Sequence, residues 1–379
     1  MGGGLLQLIA YGSQDIYLTG NPQITFFKQV HRRHTNFAME EVEQSIEGTV
    51  TASSKVSCKL SRIGDLVGQI FLEVDTGEVG ISNYGHAIID NIVCEIGGQE
   101  IDKQYGHWME TWSLLTETNS SSNAPSAVAN MATTGITQFQ RMSTCGGVEG
   151  GIGKEVDLGI IFVPLRFWFC RHPGLYLPLI ALQYHDIKLN LTLSSDYSAN
   201  SSMKIYAEYV YLDTDERRRF AQSSHEYLIE QVQFDKFSNN NTFNLNFNHP
   251  VKELIWTSPY SAGKLSGTPV STGGTWVLSI NGQNRFQERP YQYFTRTQLW
   301  KHHTAQGSAP HGVYDAIAVY SFALKPEEHQ PSGTCNFSRI DDAQLKSPSS
   351  FTGSDLYVYA VNYNVLRVMS GMCGLAYSN

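Results

Sequence analysis

CEIGGQEID at residues 94–102 and LSINGQNRF at residues 278–286 share one pattern in the two halves of this chain. Each segment places two turn residues, Gly97-Gly98 and Asn281-Gly282, between strand-like flanks, and a glutamine follows the turn. Both pairs accept the positive φ angles of a type I′ turn, which fixes the register of a β-hairpin. The sequence therefore predicts one tight hairpin in each half.

Similar segments follow the two hairpins in the same order. An apolar strand comes first, then a short segment with an aspartate before an apolar residue, and then a strand rich in Tyr and Ala. The corresponding pairs are IFVPLRFWF with AIAVYSFAL, YHDIKL with RIDDAQL, and MKIYAEYVYL with LYVYAVNYNVL. Weak self-similarity at half the chain length indicates two copies of one all-β domain. Each half is long enough for a sandwich with its own core, and the junction is expected near residues 214–230.

Alternation of apolar and polar residues is the dominant local pattern. In IKLNLTLS (187–194), every second residue from Ile187 to Leu193 is apolar, and TFNLNFNH (242–249) and KVSCKLS (55–61) behave alike. A period of two is typical of a strand with one solvated face. The segment 356–369 is apolar on both sides, which predicts a strand covered on two faces. Helical spacing is best at residues 105–117, so we expect few, short helices.

Composition excludes several classes of protein. Only 16% of the 379 residues are charged and the formal net charge is −8, whereas a chain that binds DNA through its phosphates is expected to be basic. The six cysteines have no CxxC spacing, so we expect reduced, buried thiols rather than a zinc site or a disulfide framework. The longest apolar run, residues 158–170, contains Pro164 and Arg166 and is too short to span a membrane.

No catalytic or metal-binding constellation stands out. The histidines of His31-Arg32-Arg33-His34 would lie on opposite faces of a strand, and adjacent residues such as His302 and His303 rarely share a metal. Motifs such as HExxH, G-x-S-x-G and the P-loop are absent. The sequence therefore predicts no enzyme activity and no cofactor.

Three long segments carry a resemblance to a known family. Residues 2–40 (GGGLLQLIAYGSQDIYLTGNPQITFFKQVHRRHTNFAME), 164–189 (PLRFWFCRHPGLYLPLIALQYHDIKL) and 363–379 (YNVLRVMSGMCGLAYSN) resemble the major capsid proteins of nucleocytoplasmic large DNA viruses, such as chloroviruses, iridoviruses and mimivirus. The resemblance touches both ends and the centre of the chain. It implies a double jelly roll, that is, two eight-stranded antiparallel β-sandwiches in tandem.

The resemblance also implies a domain organisation and a function. We expect an N-terminal arm at residues 1–24, a first jelly roll at 25–215 and a second at 216–379. Three chains would form a pseudo-hexagonal capsomer of an icosahedral shell, assembled in the host cytoplasm, which contacts neighbouring capsomers and minor capsid proteins and does not bind nucleic acid directly. The alternatives are a minor capsid component, a carbohydrate-binding β-sandwich protein and a jelly-roll enzyme.

Two further sets of residues are candidates for function. The arm carries an apolar cluster that we expect to become ordered on assembly, against a neighbouring capsomer or a minor protein beneath the shell; it comprises Leu5, Leu6, Leu8, Ile9 and Tyr11. Sequons for asparagine glycosylation occur at Asn119, Asn190, Asn200, Asn240 and Asn336. Since some members of the family carry virus-directed glycans on outer loops, Asn119 is the first of these sites to test.

Overall fold

The computed structural model describes residues 2–76, 81–118, 137–148, 159–199, 201–238, 240–261, 264–265, 274–305, 315–348 and 355–378. Met1–Asn36 form one compact unit and Phe37–Asn379 form another. The first unit contains two short helices, α1 (Gly3–Ile9) and α2 (Ile16–Thr19), and no residue of either helix is buried.

The described residues in the first half of the larger unit form ten strands and four short helices. The strands are β1 (Phe37–Gln44), β2 (Ile46–Glu47), β3 (Lys55–Lys59), β4 (Leu66–Asp75), β5 (Ile89–Ile96), β6 (Gln99–Tyr105), β7 (Ile160–Pro164), β8 (Leu177–Pro178), β9 (Ile187–Leu193) and β10 (Ser202–Leu212). The helices are α3 (Tyr84–Ala87), α4 (Gly106–Thr116), α5 (Gln138–Ser143) and α6 (Trp168–Arg171), with a 3₁₀ turn at Pro173–Leu175.

The second half begins after a connecting helix, α7 (Thr214–Gln222). Its strands are β11 (His225–Ser238), β12 (Thr242–Asn244), β13 (Pro250–Thr257), β14 (Tyr260–Ser261), β15 (Lys264–Leu265), β16 (Thr275–Ile280), β17 (Gln283–Asn284), β18 (Arg289–Pro290), β19 (Ile317–Ser321), β20 (Cys335–Asn336), β21 (Ala343–Lys346), β22 (Asp355–Met369) and β23 (Met372–Leu375). A π-helix at Tyr293–Thr297 continues into α8 (Gln298–His302), and a 3₁₀ turn covers Phe337–Arg339.

The two halves have the same sheet topology. In the first, the sheet β1-β10-β4-β7 faces the sheet β3-β9-β5-β6; in the second, β11-β22-β13-β19 faces β12-β21-β16-β17. All of these strand pairs are antiparallel. Eight principal strands therefore recur in the same order in each half. This is the double jelly roll implied by the resemblance, and it explains the repeated order of segments in the sequence.

Most of the strands predicted from alternation are present. In β9 the apolar positions from Ile187 to Leu193 are buried and the residues between them are not, and β22 is buried on both faces over most of its length. The segment 242–249 differs, because its strand ends at Asn244. Its apolar residues remain buried, but the Gln233 side chain hydrogen-bonds both the N–H and the carbonyl of Asn248 in place of a neighbouring strand.

The core of the first sandwich continues into the second. One apolar cluster contains residues from both sheets of the first sandwich, the helices α4 and α6, and one face of the second sandwich, including Ile255, Val319 and Tyr359. A separate cluster fills the interior of the second sandwich around Trp256 and Trp276. The sheet β11-β22-β13-β19 is therefore covered on both of its faces.

Candidate functional site

The covered face of the second sandwich packs against helix α4 of the first. The rings of Trp108 and Tyr359 lie 5.1 Å apart, and both side chains are fully buried. His107 contacts Tyr359 and Phe234 on the same face. Aromatic rings bury large apolar areas, so this contact is a substantial part of what holds the two sandwiches together.

Polar groups cross the same boundary. The Asp102 carboxylate accepts a hydrogen bond of 3.2 Å from the N–H of Val232, and the Gln231 amide donates to the carbonyl of Ile101. Burial raises the pKa of Asp102 to about 6, although the hydrogen bonds from Val232 and Gln104 act in the opposite direction. These contacts fix the register between β6 and β11 because buried polar groups need specific partners.

A buried ionic group lies beside the aromatic contact. His303 hydrogen-bonds Glu253 at 3.0 Å and Glu327 at 3.1 Å, and its ring meets Trp112 edge-on. Burial alone would lower the pKa of His303, but the two carboxylates outweigh burial and raise this pKa to about 9. The sequence did not predict this role, since Glu253 and Glu327 approach His303 only through the tertiary fold.

The corresponding face of the first sandwich is open. Tyr206 on β10 lies between Glu43 and Phe71 of the adjacent strands, as Tyr359 on β22 lies between Phe234 and Ile255. Tyr359 is fully buried by the first sandwich, whereas Tyr206 is only partly buried. The same position in the same sheet is thus fully covered in one sandwich and only partly covered in the other.

The open face has both apolar and acidic character. Phe162 is 40% exposed and Met39 is 46% exposed. A groove of about 270 Å³ runs across the face and is lined by Glu41, Phe71, Glu73, Met142, Phe162 and Tyr206. The ammonium of Lys204 lies 3.8 Å from Glu43 and 3.9 Å from Glu73, at distances that give weak pairing in water. An exposed apolar patch within a polar rim is typical of a protein–protein interface.

Both hairpin turns lie at the ends of the expected strands. Ile96 pairs with Gln99 and Ile280 pairs with Gln283, so each turn has two central residues. Gly97, Gly98, Asn281 and Gly282 all have positive φ, from 48° to 83°. Asn281 also accepts the backbone N–H groups of Asp341 and Asp342 through its side chain.

The sequons differ in accessibility. Asn240 and Asn336 are exposed, whereas the amide of Asn190 on β9 donates a hydrogen bond of 2.9 Å to Glu95. Asn119 and Asn200 lie outside the described residues. The apolar side chains of the arm are exposed within their own unit, at 52% for Leu5, 58% for Leu6, 76% for Leu8, 65% for Ile9 and 57% for Tyr11.

One group of three potential metal ligands lies together in the described part of the chain: His86, Glu110 and Cys145, all buried. Glu110 is already engaged, since its carboxylate hydrogen-bonds His86 at 2.7 Å and accepts the backbone N–H groups of Gly146 and Gly147. The group therefore fastens the segment after α5 to helix α4. The sequence analysis missed it because the three residues are far apart along the chain.

The six cysteines are unpaired, and five of them are buried. This agrees with the expectation of reduced thiols that pack as small apolar residues. None of the helices within the described ranges is long and apolar enough to cross a membrane.

Comparison with known proteins gives consistent results for both sandwiches. Residues 25–213 match a family model described as the major capsid protein N-terminus, and residues 216–374 match one described as the large eukaryotic DNA virus major capsid protein. The chain is 48% identical to the major capsid protein of Pyramimonas orientalis virus and 39% identical to that of Paramecium bursaria Chlorella virus 1; each match covers 100% of both chains.

Solved structures show the same relationship. The chain is similar to the crystal structure of PBCV-1 VP54, with a TM-score of 0.77 and 34% identity over 94% of this chain and 100% of that one, and equally to a chain in a quasi-atomic model of the PBCV-1 virus capsid. The Faustovirus major capsid protein, at 12% identity and a TM-score of 0.67 over 95% of this chain and 94% of that one, shares the fold.

Proposed function

Because the chain belongs to the major capsid proteins of large eukaryotic DNA viruses, a non-enzymatic structural family, we propose that it assembles with copies of itself into homotrimers that tile an icosahedral shell. The open face of β1-β10-β4-β7 carries this proposal. Its counterpart in the second sandwich is buried against the first sandwich, so a further copy of the chain can bury the open face in the same way.

The proposed contact is heterologous, because the first sandwich of one chain meets the second sandwich of the next. Such an interface leads either to a closed ring or to an open filament. A ring of three chains contains six similar sandwiches, which suits a pseudo-hexagonal capsomer. We expect the trimer to bury more than about 2,000 Å² in all, as obligate interfaces do.

Native mass tests this proposal most directly. Light scattering of the purified chain should give about 127 kDa, three times the 42.3 kDa of one chain, and negative-stain images of the same peak should show a pseudo-hexagonal outline. Tyr206→Arg, which places a cation in the groove, should lower this mass. The matched control is Tyr184→Arg, because Tyr184 is 74% exposed and belongs to a loop of the same sandwich. A stable wild-type monomer would contradict the proposal.

The domain organisation forms part of the proposal. The first jelly roll corresponds to residues 25–215 and the second to residues 216–379, with the boundary inside α7, while residues 1–24 act as an assembly arm. The ends of the two family matches support this division. We propose that capsomers built in this way contact one another and minor proteins beneath the shell after assembly in the host cytoplasm, without direct binding of nucleic acid by this acidic chain.

The arm is proposed to act after trimer formation. Its exposed apolar residues Leu5, Leu6, Leu8, Ile9 and Tyr11 would pack against a neighbouring capsomer or a minor protein. Deletion of residues 2–12 should leave the native mass of the trimer unchanged and impair shell formation, measured by sedimentation of assembled particles. Normal assembly without these residues would exclude the role.

Glycosylation remains a proposal for the exposed sequons. Asn240 and Asn336 can accept a glycan without loss of buried contacts, whereas modification of Asn190 would break its hydrogen bond to Glu95. Asn119 and Asn200 are kept as candidates from the sequence. Intact-mass and peptide mass spectrometry of protein from virions should find any glycan at these positions and an unmodified Asn190.

A further inference from the structure

A helical segment follows the corresponding hairpin in each of the two sandwiches. Helix α4 follows the hairpin β5–β6, and the π-helix with α8 follows the hairpin β16–β17. Each segment carries a tryptophan seven residues after a tyrosine: Trp112 after Tyr105, and Trp300 after Tyr293. The two tryptophans therefore have the same spacing from a tyrosine in the helical segments of the two halves.

Trp112 is buried at the boundary between the sandwiches. It is 4% exposed, its ring meets His303 edge-on at 6.4 Å, and the ammonium of Lys252 lies 6.0 Å from the ring centre. Both of these partners belong to the second sandwich. Trp300 is 84% exposed. The tryptophan of the first helical segment is thus buried within the chain, whereas that of the second is presented to solvent.

The exposed surface around Trp300 carries two cations, Arg296 and Lys301. Arg296 and the exposed Thr297 lie four and three residues before Trp300, on the same side of the helical segment, and Lys301 is the next residue along the chain. Arg296 is held by Asp315 through two hydrogen bonds of 2.7 and 2.9 Å. Trp300 is therefore presented on a preorganised segment and not on a loose loop.

The groove on the open face complements this surface. Its apolar lining, which includes Phe71, Phe162 and Met142, suits an indole ring, and the carboxylates of Glu41 and Glu73 lie at the same groove. Lys301 and the carboxylates of the groove have opposite charges, and such complementarity helps to set the orientation of docking. Tryptophan is also enriched among the residues that dominate binding energy at interfaces.

We propose that Trp300 of one copy inserts into the groove beside Tyr206 and Phe162 of the next copy, and that this contact is the anchor of the self-association. The inference rests on the proposed assembly into homotrimers and adds the residue that carries it. Trp300 then covers the face of the first sandwich between chains, as helix α4 covers the corresponding face of the second sandwich within one chain. In a trimer the contact occurs three times, so no copy of Trp300 or of the groove is left unoccupied.

Substitution of Trp300 provides the first test. Trp300→Ala should weaken trimer formation by about thirty-fold or more per contact, which corresponds to the loss of a strong interface anchor. The measurement is light scattering over a dilution series. Trp300→Phe should retain part of the association. Tyr184→Ala is the matched control, because Tyr184 is an aromatic residue that is 74% exposed outside the groove, and it should leave the association unchanged.

A disulfide trap provides the second test. Trp300→Cys combined with Phe162→Cys, in a chain that also carries Cys335→Ser to remove the partly exposed native thiol, should form covalent trimers on mild oxidation. Tyr184→Cys combined with Phe162→Cys should not. Because Trp300 is exposed, far-UV and near-UV circular dichroism should show an unchanged fold in these variants.

The outcomes separate this inference from the proposed function. If Trp300→Ala still forms the trimer, and Trp300→Cys with Phe162→Cys forms no covalent trimer, then the anchor is overturned and the proposed homotrimer stands. A wild-type chain that stays monomeric would overturn the proposed function and the anchor together. Loss of the trimer in Trp300→Ala, together with the specific cross-link, would support both.

Discussion

Arg171 of the first sandwich donates a hydrogen bond of 2.8 Å to the carboxylate of Glu230 in the second. The ammonium of Lys252, which is fully buried, lies 2.7 Å from the other oxygen of the same carboxylate. Burial alone would raise the pKa of Glu230, but Lys252, His329 and Arg171 lower it to about 2. One carboxylate therefore neutralises a buried lysine and connects the two sandwiches.

Removal of this carboxylate should destabilise the protein strongly. Glu230→Gln leaves Lys252 charged and buried without its counter-ion, and breaking a buried ion pair in this way costs about 3–5 kcal/mol. Urea unfolding at pH 7 measures the loss. The double variant Glu230→Gln with Lys252→Met should recover part of it, because both buried charges are then absent.

A control lies on the same strand. Glu226 pairs with Arg367 at 2.9 Å, but both side chains are more than half exposed. Glu226→Gln should therefore change the free energy of unfolding by less than about 1 kcal/mol. Similar losses for Glu226→Gln and Glu230→Gln would contradict the assignment of Glu230 as a buried connector.

His303 should make stability depend on pH. Its pKa of about 9 in the folded chain lies above the value of about 6.5 for an exposed histidine, so protonation is favoured by folding. The stability that protonated His303 adds to the folded chain is fully present below pH 6.5 and is lost as the pH rises through 9. We expect the free energy of unfolding to fall by about 3 kcal/mol over that range.

His303→Gln tests the source of this pH dependence. The groups that face His303 are the carboxylates of Glu253 and Glu327 and the ring of Trp112. The variant should have a lower stability at pH 6 and a much smaller slope between pH 6.5 and 9, measured by urea unfolding at each pH. An unchanged slope would assign the pH dependence to other groups.

The two glycines of the first hairpin should respond differently to substitution. A Cβ at Gly97 would lie 2.3 Å from the ring of His185, which also accepts the N–H of Cys373, whereas a Cβ at Gly98 meets open space. Both positions have positive φ. Gly97→Ala should therefore cost about 1–3 kcal/mol more than Gly98→Ala, because it adds overpacking to backbone strain. If Gly97→Ala and Gly98→Ala lose the same stability in thermal unfolding, the side chain of His185 moves aside without cost.

Thiol labelling should distinguish one cysteine from the other five. Cys335 is partly exposed, while the remaining cysteines are buried and burial raises the pKa of each. Since the thiolate is the reactive form, an aromatic disulfide reagent should label one thiol per native chain and six in denaturant. Rapid labelling of two or more thiols in the native chain would contradict the packing described here.

Local features were accessible from the sequence. Alternation at residues 187–193 identified β9, and Gly97-Gly98 and Asn281-Gly282 marked the hairpins, because strand faces and tight turns depend on neighbours along the chain. The repeated order of segments indicated the duplication. The strand predicted at residues 242–249 was too long. The side chain of Gln233, which comes from another strand, takes the backbone hydrogen bonds of Asn248 that a neighbouring strand would otherwise make.

The sequence by itself determined the two all-β halves, their hairpins and the buried thiols, because each of these follows from local pattern and composition. The sequence also predicted that the strand at residues 356–369 is covered on two faces, but only the tertiary structure decided what covers it and that the counterpart sheet of the first sandwich is open. That difference arises from contacts such as Trp108 with Tyr359, which join residues far apart in the chain. The same packing made Lys252, Glu253 and His303 buried partners and left Trp300 exposed, since burial depends on which surfaces meet and not on the order of residues.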